Sequence, residues 1–405
     1  MPADDPRRDP DAPDPFGDRL PTLETERLRL RHPRLDDAEA VLTVFGDPEA
    51  MRYWSHPPLG DLAAARRYIR GIHDGFAARR LFQWAITEAG EDRLIGTVTL
   101  YAWDPENRRV EVGFMLDRAH WGKGYAGEAV RAALAFGFDR MGLHRVEADV
   151  HPDNAGSLRL LERLGFRREG YLPDRWWVGG EPSDSVLLGL LRDAFPAAPP
   201  REPAGSVLPT PSDPFPAATP YAAGLPPIRT PRLLLRALTA AEDPGILALF
   251  SDETALETWT HPPFTSLDDA RTYRAMLETA FVRRAAFTWG VFEGEGEGPP
   301  VGVGILTRWS ANNRRVDLGY YLGSAHWGRG YATEAARALV GWAFERLGVH
   351  RIEAEVVPGN DASVRVLERV GFRHEARLVE RLWDEKGGPY DSLLFRILRP
   401  EFEVG

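Results

Sequence analysis

Apolar and polar positions along this chain change their period in a fixed order, and the order occurs twice. Arg27 to Arg31, "RLRLR", alternates with the two-residue period of a half-buried strand. Helical spacing follows near Asp36 to Val44 and again near Leu62 to Phe76. Strands are predicted around Phe82 to Thr87, around Leu94 to Tyr101 with Gly96 inside it, and at Val110 to Leu116. A glycine turn then opens a long helix that reaches about Arg140, with Ala129, Ala132, Ala133, Phe136 and Met141 on one face. A strand at Arg145 to Val150, a helix at Ala155 to Arg163, and strands near Phe166 to Tyr171 and Ser185 to Leu191 complete the set. These elements fit an α+β fold, an α/β sandwich in which about four helices cover a mixed, mostly antiparallel sheet.

The second occurrence is close. Residues 119–169 align without a gap to 325–375, with 30 of 51 positions identical. "ETERLRLR" from Glu24 echoes "RTPRLLLR" from Arg229, and "YWSHPPL" from Tyr53 echoes "TWTHPPF" from Thr258. The offset grows from 205 to 206 between Trp289 and Val301, at the "EGEGEGPP" turn. Two repeats of this length are two domains, expected at 19–195 and 228–405. Residues 196–227 hold 11 of the 34 prolines, which favours an extended spacer, and residues such as Val207, Phe215 and Leu225 suit a segment lying partly on a domain surface. Residues 1–18 are polar and proline-rich with no apolar core of a secretory signal, and a disordered tail is expected there.

Composition narrows the chemistry. A net charge of -10 argues against general attraction to nucleic acid or to an anionic membrane surface. The absence of cysteine removes disulfides, thiolate zinc sites and an acyl-cysteine intermediate; no metal is expected, and a cytoplasmic location is.

The candidate site is the turn, "HWGKGYAGEAV" from His120 and "HWGRGYATEAA" from His326. Strand, glycine turn and helix start form an anion site, because the first helix amides have no intrahelical partners. A P-loop is excluded, since no Gly-Lys-Ser/Thr follows. A dinucleotide fingerprint is matched by Gly122, Gly124 and Gly127, but Thr333 breaks it in the second copy. The pyrophosphate loop of an acyl-CoA transferase needs only the short turn and the helix start, and both copies provide them.

"EVGFMLDRAHWGKGYAGEA" and "DLGYYLGSAHWGRGYATEA", with "HPDNAGSLRLLERLGFRREG" and "VPGNDASVRVLERVGFRHEA", resemble the GNAT superfamily of N-acetyltransferases. The likeness is to the branch that holds ribosomal-protein-alanine N-acetyltransferases and small-molecule relatives. It spans nearly all of each repeat, and it implies acetyl-CoA as cofactor and an amine as acceptor. It places the cofactor on Trp121, Gly122, Lys123, Gly124, Tyr125 and Ala126, and on Trp327, Gly328, Arg329, Gly330, Tyr331 and Ala332. Trp121 and Trp327 stand where the superfamily loop usually has Gln or Arg. The thioester is placed beside Phe114, Met115 and Leu116, and beside Tyr320, Tyr321 and Leu322, where a splayed or bulged strand frees an amide.

Acetyl transfer to an amine needs a base for the ammonium and an acid for the leaving thiolate. Glu111 and Asp317 match the superfamily's best-known catalytic glutamate, and could equally be strand-end carboxylates paired with Arg109 or Arg315. Asp174 with Glu380, and His56 with His261, are alternative bases. Asn154 and Asn360 are helix caps that the resemblance also places on the pantetheine arm or a water. Many relatives use a tyrosine as acid where this chain has Leu161 and Leu367, so Ser157 and Ser363 become the candidate acids. Trp54, Trp84, Trp259 and Trp289 are expected in the core or the acceptor wall. The expectation is a tandem acetyltransferase acting on a small-molecule amine or a peptide N-terminus, with the copies packed as a pseudo-two-fold monomer. The alternative is an acyl-CoA-binding sensor or scaffold with one or both copies silent.

Overall fold

The computed structural model describes residues 19–195, 224–256, 262–384 and 387–402. The expected tail at 1–18, linker residues 196–223, Thr258, Trp259 and His261 lie outside the described residues. Two compact units are present. One comprises Met1–Pro211 with Val379–Tyr390, and the other Ser212–Leu378 with Asp391–Gly405.

The first unit runs β1 (Leu23–Glu24), β2 (Leu28–Arg31), α1 (Ala38–Phe45), α2 (Pro48–Met51), α3 (Leu62–Ala77), β3 (Leu81–Glu88), β4 (Leu94–Asp104) and β5 (Arg109–Leu116). It continues with α4 (Tyr125–Arg140), β6 (Arg145–Val150), α5 (Ala155–Arg163), β7 (Arg167–Val178) and β8 (Glu181–Leu191). Strand order is β1-β2-β3-β4-β5-β6-β8-β7, antiparallel except for the central β5–β6 pair. One face of this sheet packs against α4 and α5 around Ala129, Ala133, Phe136 and Leu161. The other packs against α1 to α3 around Val41, Phe45, Ile69 and Met115. Asp61 starts α3 by accepting from the Ala64 amide at 2.6 Å, so the helix begins where its apolar stripe does.

The second unit repeats this plan through β9 (Ile228–Arg229), β10 (Leu233–Arg236), α6 (Asp243–Phe250), α7 (Glu253–Leu256), α8 (Leu267–Val282), β11 (Ala286–Glu293), β12 (Gly302–Ser310) and β13 (Arg315–Leu322). Then come α9 (Tyr331–Trp342), β14 (Arg351–Val356), α10 (Asp361–Val370), β15 (Arg373–Asp384) and β16 (Gly388–Leu398). Leu225, at the end of the proline-rich stretch, packs against its core. Among the described residues no helix is long and apolar enough to cross a membrane.

The elements differ from the sequence reading mainly at bulges. β7 runs to Val178 because a register shift between Leu172 and Trp176, with Asp174 at φ 52, lets the strand pair again with β8. β4 and β12 carry the same irregularity near their ends, at Tyr101/Asp104 and Thr307/Ser310, with Ala102 and Arg308 both at φ 50. Such bulges re-aim side chains next to sites.

Candidate active site

The glycine turn has the same backbone in both units. Gly122 (φ 76) and Gly124 (φ 84), like Gly328 (φ 74) and Gly330 (φ 79), are left-handed, a conformation that strains any residue with a Cβ. A Cβ at Gly122 or Gly328 would meet nothing within 4 Å, so conformation rather than protein crowding demands glycine there. The helix dipole favours an anion at the first amides of α4 and α9. Gly127 has nothing within 4 Å of its Cβ position and so lacks the close packing that a dinucleotide fingerprint's third glycine provides.

A polar latch holds each turn. Glu128, in the first turn of α4, accepts from the Thr25 hydroxyl at 2.6 Å, the Arg27 amide at 2.9 Å and Arg27 Nε at 2.7 Å. Arg27 Nη1 donates to the Lys123 carbonyl at 2.9 Å, and its guanidinium lies 5.0 Å from the Tyr125 ring centre. In the second unit Glu334 accepts from Thr230 at 2.6 Å and from Arg232 at 2.9 and 2.7 Å, while Arg232 donates to the Arg329 carbonyl at 2.8 Å. Burial by itself would raise the Glu128 and Glu334 carboxyls; the threonine and arginine hydrogen bonds outweigh it and hold both below their ordinary value. The oxygen between the two glycines is thus fixed on the arginine, leaving the loop's donors for an anion. Trp121 and Trp327 add a tie from the loop to the preceding strand, donating through Nε1 to the Leu116 and Leu322 carbonyls at 2.8 and 2.9 Å.

Beside the turn the sheet opens. β5 pairs in parallel with β6 only from Arg109↔Arg145 to Glu111↔Glu147, and β13 with β14 only from Arg315↔Arg351 to Asp317↔Glu353. Beyond those pairs, residues as far as Leu116 and Leu322 stay in register with β4 and β12. This is the splayed strand that the resemblance implied. In the first unit a cavity of about 1320 Å³ joins Phe114, Met115 and Leu116 to the glycine turn and to Asn154 and Ser157, and extends to Tyr53 and Trp54. It exceeds the roughly 300–1,000 Å³ of a typical small-ligand pocket, so a long cofactor and an acceptor can share it. Asn154 and Asn360 cap α5 and α10, accepting from the Ser157 and Ser363 amides at 3.1 and 3.0 Å. Leu161 and Leu367 are fully buried in the core.

Glu111 does not line that cavity. Val112 and Phe114 pack on the α4–α5 side and Met115 on the α1–α3 side, so strand alternation puts Glu111 on the same face as Met115. The Tyr101 ring lies over the intervening Gly113, 3.5 Å from where a Cβ would be, which places Tyr101 beside Glu111. Burial, then the negative charges of Glu147 and Asp149, push the Glu111 carboxyl up. Asp149 is itself held by Trp176 Nε1 at 2.8 Å, Arg175 Nε at 3.2 Å and the Ser185 hydroxyl. The alternative bases sit elsewhere. Asp174 occupies the β7 bulge, and His56 Nδ1 donates to the Pro57 carbonyl at 3.0 Å. Trp84 and Trp289 are core residues whose indoles donate to the Pro21 and Pro226 carbonyls.

Sequence reasoning missed Thr25, Arg27, Glu128, Tyr101 and Asp149. The latch left a signal: the Thr-x-Arg pair and the first-turn glutamate recur in both copies. Tyr101 left none, because its counterpart is Thr307.

The Acetyltransferase (GNAT) domain family matches residues 27–167 and again 232–373. An N-acetyltransferase of Bacillus licheniformis, p20, is 38% identical over 176 residues, 44% of this chain and 99% of that protein. A spermidine N(1)-acetyltransferase of Vibrio cholerae is 26% identical over 170 residues, 42% of this chain and 95% of that protein. Among solved structures, a spermidine N-acetyltransferase from Vibrio cholerae in complex with CoA and spermine aligns with a TM-score of 0.37 and 22% identity, covering 42% of this chain and 96% of that one. The family match covers most of the chain and falls once on each copy: the protein belongs to the GNAT acetyltransferase family and is an N-acetyltransferase with two such domains.

Proposed function

We propose that the protein moves an acetyl group from acetyl-CoA to a primary amine by direct attack of the amine on the thioester. The observation that carries this reading is the first unit's cavity, which runs from the left-handed glycines past the splayed strand to Ser157 and Tyr53. Acetyl-CoA, when bound, supplies the thioester and the thiolate leaving group. Its pyrophosphate suits the first amides of α4, and its arm suits the edge of β5 between Phe114 and Leu116.

Glu111, which lies outside the cavity, takes the ammonium proton through water past the Tyr101 ring that lies over Gly113. Its raised carboxyl pKa makes it a better base than an ordinary surface glutamate. The amine nitrogen bonds to the carbonyl carbon, the carbon–sulfur bond breaks, the Ser157 hydroxyl gives its proton to the departing sulfur and regains one from water, and Glu111 releases the ammonium proton to solvent. Ser157 lines the cavity one turn into α5, and buried Leu161 cannot serve in its place.

Polyamines and peptide N-termini are the acceptor classes to test, spermidine first because a named relative acts on it. Thiol release from acetyl-CoA, with spermidine or N-terminal peptides as acceptor, tests the reading. Amine-dependent thiol release matched by acetylated product supports it; thiol release without acetylated amine would remove it.

A further inference from the structure

The two units keep the same cofactor turn but differ where the proton must move. Ala102 of the β4 bulge becomes Arg308 at the β12 bulge, both in the same left-handed conformation, so the extra guanidinium emerges from an unchanged backbone. Arg308 Nε donates to Asp317 Oδ2 at 2.7 Å, and its Nη2 contacts that carboxylate too and Glu355 Oε1 at 2.9 Å. Asp317 and Glu355 occupy the positions of Glu111 and Asp149. An arginine stays protonated throughout the pH range of enzymes and binds carboxylates with a planar fork. Beside Glu111 stands the neutral Tyr101, with Arg175 and Arg381 acting on the carboxyl as nearby charges, whereas Asp317 is in direct contact with a cation.

A second difference lies across the opening between strand and helix. Tyr320 stands where the first unit has Phe114, and its hydroxyl donates to the Ser363 carbonyl at 3.2 Å, joining β13 to α10. Phe114 has no hydroxyl to make that bridge. Both changes act on the reacting end, and neither touches the latch of Thr230, Arg232 and Glu334.

We infer that the units divide the work: the first transfers the acetyl group, and the second binds the coenzyme A moiety without turning it over. This rests on the acetyl-transfer reading above. In the second unit Arg308 holds the Asp317 carboxylate in an ion pair that must break before Asp317 can take a substrate proton, although burial raises its carboxyl as it does that of Glu111; Tyr320 ties β13 to α10 beside it. The second unit is then a coenzyme A sensor fused to a working enzyme.

The test uses the full chain. Gly124→Val forces a β-branched residue into a left-handed turn and should empty the first cofactor site. Thiol release is followed with acetyl-CoA and spermidine, and with acetyl-CoA alone, where water is the acceptor. Calorimetry with CoA counts the sites that remain. The division predicts that thiol release falls on the order of 10²-fold in either arm while one CoA site per chain persists, which also shows that the variant is folded. Adding Arg308→Ala and Tyr320→Phe to Gly124→Val should recover at least tenfold of the lost rate. Retention of about half the turnover in Gly124→Val would overturn the division, as would loss of both CoA sites from a folded protein or no recovery in the triple variant. A wild-type protein that releases no thiol in either arm would instead remove the transfer reading, and the division with it.

Discussion

At the glycine turn, the threonine–glutamate contact is 2.6 Å in both units and the arginine Nε–glutamate contact 2.7 Å in both. Some distance along the same strands, Glu111 meets a phenol whereas Asp317 meets a guanidinium. The difference shows which constraint acts where. A turn that presents amides to a pyrophosphate has few solutions: two left-handed glycines, a helix start, and something to hold the carbonyl between them. The carboxylate site has many solutions, because the sheet folds equally well around either arrangement, and only proton transfer separates them. Buried arginines make the same point for stability. Arg145 pairs with Glu147 and Glu169, and Arg351 with Glu353 and Glu375, because an unpaired charge there would be costly in either copy.

The comparison breaks most visibly at Glu111. Glu111→Gln should lower kcat for thiol release on the order of 10²-fold, with CoA affinity unchanged, if this carboxylate is the base. The base must be ionised and burial raises its pKa, so the rate should fall as pH drops through a value above the ordinary carboxylate range. Glutamine should abolish that acid limb; a limb that survives would move the base to another group. Tyr101→Phe sharpens the contrast at a smaller scale. Tyr101 lies beside Glu111, and if it donates to the charged carboxylate its loss should shift the acid limb upward. An unmoved limb would show that the contact does not tune Glu111. The smallest effect is expected at the latch. Arg27→Met should weaken CoA binding at the first site about five- to tenfold, ~1–1.4 kcal/mol, and Arg232→Met should do the same at the second. Unequal losses would mean that the two turns are less alike than their bonds.

Much of this was legible in the sequence because it repeats. The sandwich, the glycine turn and the α4 face around Ala129, Ala133 and Phe136 follow from periodicity read twice, and Asn154 and Asn360 from the preference of asparagine for helix starts. The bulges were not legible. Ala102, Arg308 and Asp174 take left-handed conformations that their residue types disfavour, imposed by strand pairing on either side. Without the bulges, nothing in the sequence brings Arg308 to Asp317 or stretches β7 to Val178. The grouping of Val379–Tyr390 with the first unit is likewise not encoded in local periodicity.

Both turns are expected to cradle coenzyme A, with the difference between the units confined to the surroundings of the carboxylates. Calorimetric titration of the full wild-type chain with CoA tests this most directly. Two sites per chain are predicted, each weakened separately by its own variant, Gly124→Val or Gly330→Val. A single site, or two that respond together to either substitution, would contradict it.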